Sequence, residues 1–353
     1  MKIIRFILYP IAFLYGGLMT LRNFLYDIGF FSSKIHDFPV ISVGNLSMGG
    51  TGKSPHVEYI IRLLKRKSKI ATLSRGYGRN TTGFLEVSRN HSFQDVGDEP
   101  KVFKDNYPYL NVFVDANRNR GIRTIREKYP ETKCVIMDDA FQHRTIKPGL
   151  SILLTDYSKL YIKDLMLPTG GLREPHWGAQ RADIIVVTKC PPIFSPVDAR
   201  AIRKQLKAKP YQKVYFSYLS YNNIKPVYKN EHPKSIKLGK ESDILLFTGI
   251  AKPSILEYHL KDKVNSIRHL RFGDHHNFMI NDIQKIVKEF EQLKGKNKII
   301  LTTEKDSVRL QSSGIKEILG GKPIYFIPVQ VQFHGKDKDE FDEQILEYVA
   351  RNK

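Results

Sequence analysis

The segment that most restricts the fold is a glycine-rich turn that joins an apolar run to an amphipathic stretch. Residues 43–55 read VGNLSMGGTGKSP, and the apolar run PVISV ends where they begin. After the turn, apolar side chains recur at the spacing of one helix face, and Pro55 suits a first helical turn. A strand, a tight turn and a helix in this order indicate an α/β chain. The apolar positions of the helix are Val57, Ile60, Ile61 and Leu64.

The turn itself has the residues of a phosphate-binding loop. Its glycines let successive backbone N–H groups point inward, and the helix N-terminus and Lys53 add positive charge for the β- and γ-phosphates. The strict pattern has glycine at position 47, where this chain has Ser47, so a merely glycine-rich turn remains the alternative. The run VVTKCPP lacks the aspartate of a guanine-binding motif, which leaves ATP as the expected nucleotide. The predicted nucleotide-binding residues are Gly49, Gly50, Thr51, Gly52, Lys53 and Ser54.

A pair of carboxylates follows another apolar run, CVIM at 134–137. A P-loop needs a carboxylate on a neighbouring strand to organise its metal ion. Asp139 is the expected metal-organising residue, together with the Ser54 hydroxyl, and the expected ion is Mg2+. Asp138 is a second candidate, and the two carboxylates could instead cap the following helix.

Short Val-, Ile- and Leu-rich runs alternate with helical stretches through most of the chain. This pattern predicts a P-loop NTPase-like, mainly parallel sheet covered by helices, with a second, smaller α/β domain. The predicted limits are 1–30 for an N-terminal membrane-associated helix, 31–212 for the P-loop domain, and 213–353 for the smaller domain with a hinge strand. The polar segment 224–237 suggests a mobile link, across which the smaller domain closes on the P-loop domain.

Charge narrows the class of partner. The 353 residues carry a formal net charge of +21, which favours an anionic partner such as a phosphorylated ligand, a membrane surface or nucleic acid. No nucleic-acid-binding module is recognised, so nucleic acid is not expected. The two cysteines, Cys134 and Cys190, lie in or after apolar runs, which argues against a disulfide framework.

The amino terminus has Lys2 and Arg5 ahead of an apolar stretch at 6–21, which Pro10 interrupts. It is short for a spanning helix and has no small-residue cleavage site of a secretory signal. We expect a helix that lies in the membrane interface. A helix packed on the protein and a true span or signal are the alternatives.

Seven further motifs stand in a fixed order around the glycine-rich turn. They are SRGYGR (74–79), VGDEP (96–100), DDAFQHR (138–144), LPTGGLREP (167–175), FTGIAKP (247–253), FGDHHNF (272–278) and TTEKDSVRL (302–310). Together with the turn they resemble the tetraacyldisaccharide 4'-kinase family, the lipid A 4'-kinases of Gram-negative bacteria. Family members commonly have a hydroxyl residue where Ser47 stands. Ala140 and Gly171 depart from the family's usual Gly and Pro, and neither change removes a chemical group.

The resemblance implies transfer of the ATP γ-phosphoryl group to the 4'-hydroxyl of a tetraacylated glucosamine disaccharide 1-phosphate, the lipid A precursor. It places this reaction at the cytoplasmic face of the inner membrane, with a peripheral or monotopic protein. The rival interpretations are a P-loop kinase of another amphiphilic or sugar substrate, and a membrane-associated nucleotide switch or ATPase.

The resemblance also implies roles for individual residues. Asp98 accepts the proton of the attacking hydroxyl with help from His275, and Glu99 reaches the metal directly or through water. From the residues alone, Asp98 suits a turn, Glu99 suits a solvated loop, and His275 with His276 is a competing metal pair. Gln142 and His143 are open to a structural role. The residues implied to contact the disaccharide or its 1-phosphate are Arg75, Asn117, Arg118, Arg173 and Glu174.

Overall fold

The computed structural model describes residues 2–228 and 235–352. The strands are β1 (Val40–Asn45), β2 (Ile70–Ser74), β3 (Leu85–Glu86), β4 (Asn111–Val114), β5 (Cys134–Asp138), β6 (Leu150–Asp156), β7 (Ile184–Thr188), β8 (Lys213–Tyr221), β9 (Lys225–Pro226), β10 (Ser242–Thr248), β11 (Ser266–Arg271), β12 (Asn297–Thr303), β13 (Ile324–Ile327) and β14 (Val329–Phe333). The helices are α1 (Lys2–Asp27), α2 (Lys53–Leu64), α3 (Phe93–Val96), α4 (Asp98–Asn106), α5 (Arg118–Lys128), α6 (Pro196–Leu206), α7 (Ser254–Lys261), α8 (Ile280–Glu291), α9 (Glu304–Ser307), α10 (Ser313–Leu319) and α11 (Asp337–Arg351).

The larger sheet runs in the order β14-β8-β7-β6-β1-β5-β2-β4-β3, and its strands are parallel except for the two edge strands. Every residue of β1, β5, β6 and β7 is buried. Helices cover both faces of a sheet of this type, and its strands therefore read as continuous apolar runs. β1 and β5 are neighbours, with Val43 opposite Asp138. Their carboxyl ends therefore bring the glycine-rich turn and the paired aspartates to the same edge, and the predicted α/β fold is confirmed.

The smaller sheet runs in the order β11-β10-β12-β13-β9, with only β9 antiparallel to its neighbour. Its core is built from β10 and β12 against α8 and α10, with Phe247, Ile286 and Ile300 at the centre. The FTG and TTEKD motifs begin in the last two residues of β10 and β12, and the DHH motif follows β11. They therefore meet at the carboxyl edge of this sheet.

Strand pairing differs from the expectation that residues 213–353 form one separate unit. β8 pairs with β7 in the larger sheet, and β14 returns to pair with β8. α11 packs through Phe341 and Ile345 into the same core as Val57 of α2. The smaller unit is thus an insertion between β8 and β14, joined by an antiparallel pair of strands. An apolar strand pattern does not identify the neighbouring strand, so sequence reasoning assigned β8 and β14 to the smaller domain from their order in the chain.

The predicted mobile link lies partly outside the described residues, which omit 229–234. On either side of that gap, the chain is packed on the smaller unit. β9 pairs with β13, and Val227 is buried in the core of the smaller unit. The described part of 224–237 therefore belongs to the smaller unit rather than to a free connection.

α1 has one docked face and one exposed apolar face. Asn23 donates to Glu174 at 2.8 Å, and the Tyr15 hydroxyl donates to the Arg173 carbonyl at 2.8 Å. The opposite face exposes large apolar side chains to solvent. Within residues 2–228 and 235–352, no helix is long and apolar enough to cross a membrane. The exposed side chains are Tyr9, Ile11, Phe13, Leu14, Leu18, Leu21 and Phe24.

Candidate active site

The glycine-rich turn leaves β1 and enters α2 at Lys53. Gly49 and Gly52 have φ angles of 99° and 88°, a left-handed conformation that glycine adopts at no steric cost. Ser47 forms an isolated antiparallel bridge to Leu172 and is not among the described residues that have a positive φ, so this position does not require glycine. The departure from the strict glycine pattern therefore leaves the turn intact.

Residues outside the turn hold its shape. Asn45 donates to the Thr51 hydroxyl at 2.8 Å, and the Thr188 hydroxyl donates to the Thr51 carbonyl at 2.8 Å. Lys189 donates to the Gly50 carbonyl, and its ammonium lies 3.3 Å from Asp156. In the sequence, Thr188 and Lys189 are recognisable only as part of an incomplete guanine-binding motif, so their contacts with the turn were not predicted.

Asp138 is the last residue of β5 and Asp139 follows it beside the turn, but the two carboxylates have different surroundings. Asp139 lies 3.6 Å from the Lys53 ammonium and 2.9 Å from Arg173. Desolvation would raise the pKa of Asp139, but these two cations outweigh it and lower that pKa. Asp138 is buried, and burial together with the charges of Glu99 and Asp139 raises its pKa to about 7. Asp138 Oδ1 has no hydrogen-bond partner in the described part of the chain.

Asp98 and His275 come together across the two sheets. Asp98 is the first residue of α4, and its Oδ2 lies 2.9 Å from His275 Nδ1. Gly97 precedes it with φ 92°, and an added Cβ would lie 3.1 Å from Gly76, so the turn requires glycine. Lys305 lies 3.0 Å from His275 Nε2 and 2.9 Å from Glu99. Because an ammonium only donates, His275 Nδ1 carries the proton and donates to Asp98.

A cavity of about 1000 Å³ lies between the two units. Its lining includes the turn, both aspartates, Glu99 and His275, and also Lys252 and Lys305 from the smaller unit. α1 reaches the same cavity through Tyr15, Met19 and Arg22. The arrangement brings a phosphate-binding turn, carboxylates and an imidazole to one space that an amphiphilic helix borders.

Three of the five residues expected to contact the disaccharide line this cavity: Arg75, Arg118 and Arg173. Arg118 is buried, and burial together with the nearby Arg75 lowers its pKa to about 10. Its Nε has no hydrogen-bond partner among the described residues. Gln142 and His143 line the cavity as well.

The other two expected contacts lie elsewhere. Asn117 caps α5, where its side chain accepts from the backbone N–H of Arg120. Glu174 is buried, and its oxygens accept from Asn23, Gln142 and Arg181. The described lining of the cavity does not include either residue. Both side chains hydrogen-bond to other parts of the protein, and these partners could not be predicted from the sequence motifs.

The competing idea of a histidine metal pair is not matched by the geometry. His276 turns away from His275 to Asp282, at 2.9 Å. No group of three or more His, Cys, Asp or Glu side chains in the described ranges is arranged to hold a metal ion.

A profile of the tetraacyldisaccharide-1-P 4'-kinase family matches residues 4–350 of this chain. The chain belongs to this family. Three sequences named tetraacyldisaccharide 4'-kinase are similar to it. The one from Phocaeicola vulgatus is 42% identical, and the match covers 98% of this chain and 95% of the relative. For Bacteroides thetaiotaomicron the identity is 44%, with 98% and 93% covered, and for Flavobacterium johnsoniae it is 43%, with 100% and 99% covered.

The fold has a counterpart among solved structures. The structure of LpxK from Aquifex aeolicus in complex with ATP matches with a TM-score of 0.73 and 28% identity, and the match covers 98% of this chain and 99% of that one. These matches confirm the family indicated by the motif string. They make this protein an ATP-dependent kinase with an alcohol acceptor.

Proposed function

We propose that the protein transfers the γ-phosphoryl group of ATP to the 4'-hydroxyl of a tetraacyl glucosamine disaccharide 1-phosphate. The observation that carries the proposal is that one cavity is bordered by the P-loop, by His275 of the Asp98–His275 pair and by α1. In the reaction the acceptor oxygen bonds to the γ-phosphorus, the bond from that phosphorus to the β-phosphate oxygen breaks, and ADP leaves. The hydroxyl proton passes to a base of the protein.

The nucleotide phosphates are assigned to the P-loop. Gly49, Gly50, Thr51 and Gly52 offer backbone N–H groups, and Lys53 adds charge for the β- and γ-phosphates. The Lys53 ammonium faces Asp139 and donates to Asn45 Oδ1 at 3.4 Å. Phosphoryl transfer depends mainly on positioning and charge neutralisation, which this lysine supplies.

Asp98 and His275 are assigned to the proton. His275 borders the cavity with a partly exposed ring, whereas Asp98 lies behind it and is buried. The Tyr77 ring packs against the imidazole in an edge-to-face arrangement at a centroid distance of 5.4 Å. A carboxylate that is hydrogen-bonded to an imidazole orients the ring and stabilises the positive charge that the ring gains when it accepts a proton. The pair therefore acts as one acceptor, with the imidazole nearer to the cavity.

The residues around the P-loop fit Mg2+. Ser54, Glu99, Asp138 and Asp139 supply the hard oxygen donors that this ion prefers, and the unpartnered Oδ1 of Asp138 is a buried acceptor in need of a cation. Mg2+ keeps several waters and takes one or two carboxylates plus substrate phosphates. A preformed cluster of three acids is therefore not required. When bound, the ion neutralises charge on the β- and γ-phosphates.

The acceptor is assigned to the arginine-lined part of the cavity. Arg75, Arg118 and Arg173 are the proposed contacts of the disaccharide and its 1-phosphate, and the unpartnered Nε of Arg118 suits an anion. Arg22 of α1 borders the same space. The exposed apolar face of α1 suits the acyl region of a membrane, so we place the protein peripherally at the cytoplasmic face of the inner membrane.

The test is incubation of the protein with γ-labelled ATP and purified disaccharide 1-phosphate in micelles. We expect label on the 4'-hydroxyl, no transfer to an acceptor methylated at that position, and loss of on the order of 10² to 10³ in kcat for Lys53→Ala. Lys67→Ala, at an exposed position beyond α2, is the matched control and should match the unsubstituted protein. Release of labelled phosphate at the same rate with and without acceptor would identify an ATPase or switch instead.

The metal assignment has its own test. Asp138→Asn and Asp139→Asn should raise the half-saturating magnesium concentration by on the order of tenfold or more, because each removes an anionic oxygen beside the P-loop. Asp183→Asn is the control, since Asp183 is a half-buried carboxylate before β7, at the opposite edge of the sheet. Unchanged magnesium dependence in both site variants would show that the ion is held elsewhere.

A further inference from the structure

The motif TTEKDSVRL at 302–310 contains Arg309, which has no role in the proposed reaction. Arg309 is only 2% exposed and is one of the largest fully buried side chains. Burying a guanidinium costs free energy unless its donors are paired. The hydrogen-bond partners of Arg309 therefore indicate its role.

Arg309 forms a bidentate hydrogen-bonded ion pair with Asp98. Its Nε lies 3.0 Å from Oδ1, and its Nη2 donates to Oδ2. Such a two-pronged contact fixes the plane of a carboxylate as well as its position. Oδ2 of the same carboxylate also accepts from His275.

The remaining guanidinium nitrogen holds the loop that carries His275. Nη1 of Arg309 donates to the His276 carbonyl at 3.2 Å and to Asp306 at 3.0 Å. Asp306 in turn accepts from the Gly249 N–H at 3.0 Å, and the Gly249 carbonyl accepts from the His275 N–H at 3.1 Å. His275 has φ 59°, an uncommon conformation that persists only where the surroundings impose it.

We propose that Arg309 is a positioning residue that holds the Asp98 carboxylate and the His275 loop in one arrangement across the two sheets. This inference rests on the proposed function, in which Asp98 and His275 take the proton of the acceptor hydroxyl. The described lining of the cavity includes His275 but not Arg309. Arg309 therefore acts through Asp98 and the loop, without touching ATP or the acceptor.

Arg309→Lys is the informative substitution, because it keeps the charge and loses the two-pronged contact. Misplacing a proton acceptor by about 1 Å should lower kcat by on the order of 10². KM for ATP should change little, since the P-loop contacts are untouched. The matched control is Arg271→Lys, which removes a two-pronged contact to Glu257 on the surface of the same unit. An exposed pair of this kind contributes little, so its kcat should stay that of the unsubstituted protein.

A double-mutant cycle separates positioning from general loss of structure. In an Asp98→Asn background, Arg309→Lys should lower kcat little further, because residues that act as one unit are not additive. Losses that multiply would overturn the proposal. If Asp98→Asn alone kept full kcat, the proposal and the proton assignment would both be overturned. Label on the 4'-hydroxyl in that case would leave the kinase function standing.

Folding of the variants is tested by thermal unfolding. If Arg309→Lys unfolds at the assay temperature, Arg309→Gln is compared with the Asp98→Asn, Arg309→Gln double variant. Removing both partners should recover part of the lost midpoint, because an unpaired buried charge is the main penalty. A double variant with no recovery would show that the two residues are not partners, and the proposal would fall.

Discussion

At the scale of single residues, Asp98 and Asp138 show that the surroundings shift the pKa of one residue type in opposite directions. Burial would raise the pKa of Asp98, but hydrogen bonds from His275 and Arg309 outweigh it and hold that pKa at about 2. Burial and neighbouring carboxylates raise the pKa of Asp138 to about 7. Asp98 is therefore ionised near neutral pH, whereas Asp138 titrates in that range and is held ionised by a nearby cation.

Site residues could be predicted from the sequence only where their functional partners lie close to them in the chain. Lys53 and Ser54 were identifiable because a phosphate-binding turn is contiguous in the chain. Arg309 was not, because its partner Asp98 lies 211 positions away. Lys189 was missed because its contact is with a backbone carbonyl, and any residue can supply that group. Partners fixed only by the fold leave no local pattern.

His56 predicts how stability depends on pH. It is buried between the Gly52 carbonyl and the Ser217 hydroxyl, and burial, with a smaller contribution from the Lys189 charge, lowers its pKa to about 4. In the unfolded chain a histidine titrates near 6.5, so the unfolded state binds more protons between these values. The contribution, up to about 3 kcal/mol, is complete above pH 6.5 and is lost as pH falls to 4.

His56→Gln should remove this part of the pH dependence. Urea unfolding at pH 7.5 and pH 5 measures the difference in the free energy of unfolding, which should be smaller in the variant than in the unsubstituted protein. His143→Gln should also make the free energy of unfolding less dependent on pH, because burial lowers the pKa of His143 to about 4 as well. Equal pH dependence with and without His56 would contradict the assignment.

At the scale of elements, apolar periodicity predicted strands and helices but not their neighbours. β1, β5 and β7 stood out as apolar runs because both their faces are buried. β8 alternates along its length, and its burial pattern is correspondingly mixed. Its place beside β7 follows from the register of the sheet, which only the folded chain defines.

The exposed apolar face of α1 is expected to bind the membrane surface. Replacing Phe13, Leu14 and Leu18 by serine removes exposed apolar area that makes no core contact, while the buried Asn23 still docks the helix. We expect weaker flotation with anionic vesicles and a higher apparent KM for lipid acceptor, with ATP binding unchanged. Serine at Ile193 and Val197, exposed apolar positions before and within α6, is the matched control. Flotation equal to that of the unsubstituted protein would move the anchor to another surface.

At the scale of the whole molecule, charged contacts join the two units around the cavity. Lys252 of the smaller unit donates to Asp156 at 3.0 Å, and Arg309 binds Asp98. Asn106 donates to both Glu58 and Glu304. His275 of the smaller unit already contacts Asp98 of the larger unit in this structure. A change in geometry when ligands bind stays a prediction.

Ligand binding should nevertheless tighten the arrangement of the two units. Lys53 comes from one unit and Lys252 and Lys305 from the other, and all three border the cavity. A polyphosphate between them attracts both walls, and a bound ligand shifts a molecule toward the state that it contacts best. The two native cysteines are buried, so cysteines introduced at exposed positions can carry spin labels selectively.

Labels at Tyr258 on α7 and Val197 on α6 report on the distance between the units, and both positions are exposed. We expect the distance distribution to narrow or shift when an ATP analogue and the disaccharide are added together. A pair at Tyr109 and Val197 lies within the larger unit and should not change, which separates closure from an effect of ligand on the labels. Lys252→Ala should weaken the response, because it removes one of the cations that draw the smaller unit inward. An identical distribution for the cross-unit pair with and without both ligands would mean that the cavity is already in its working shape.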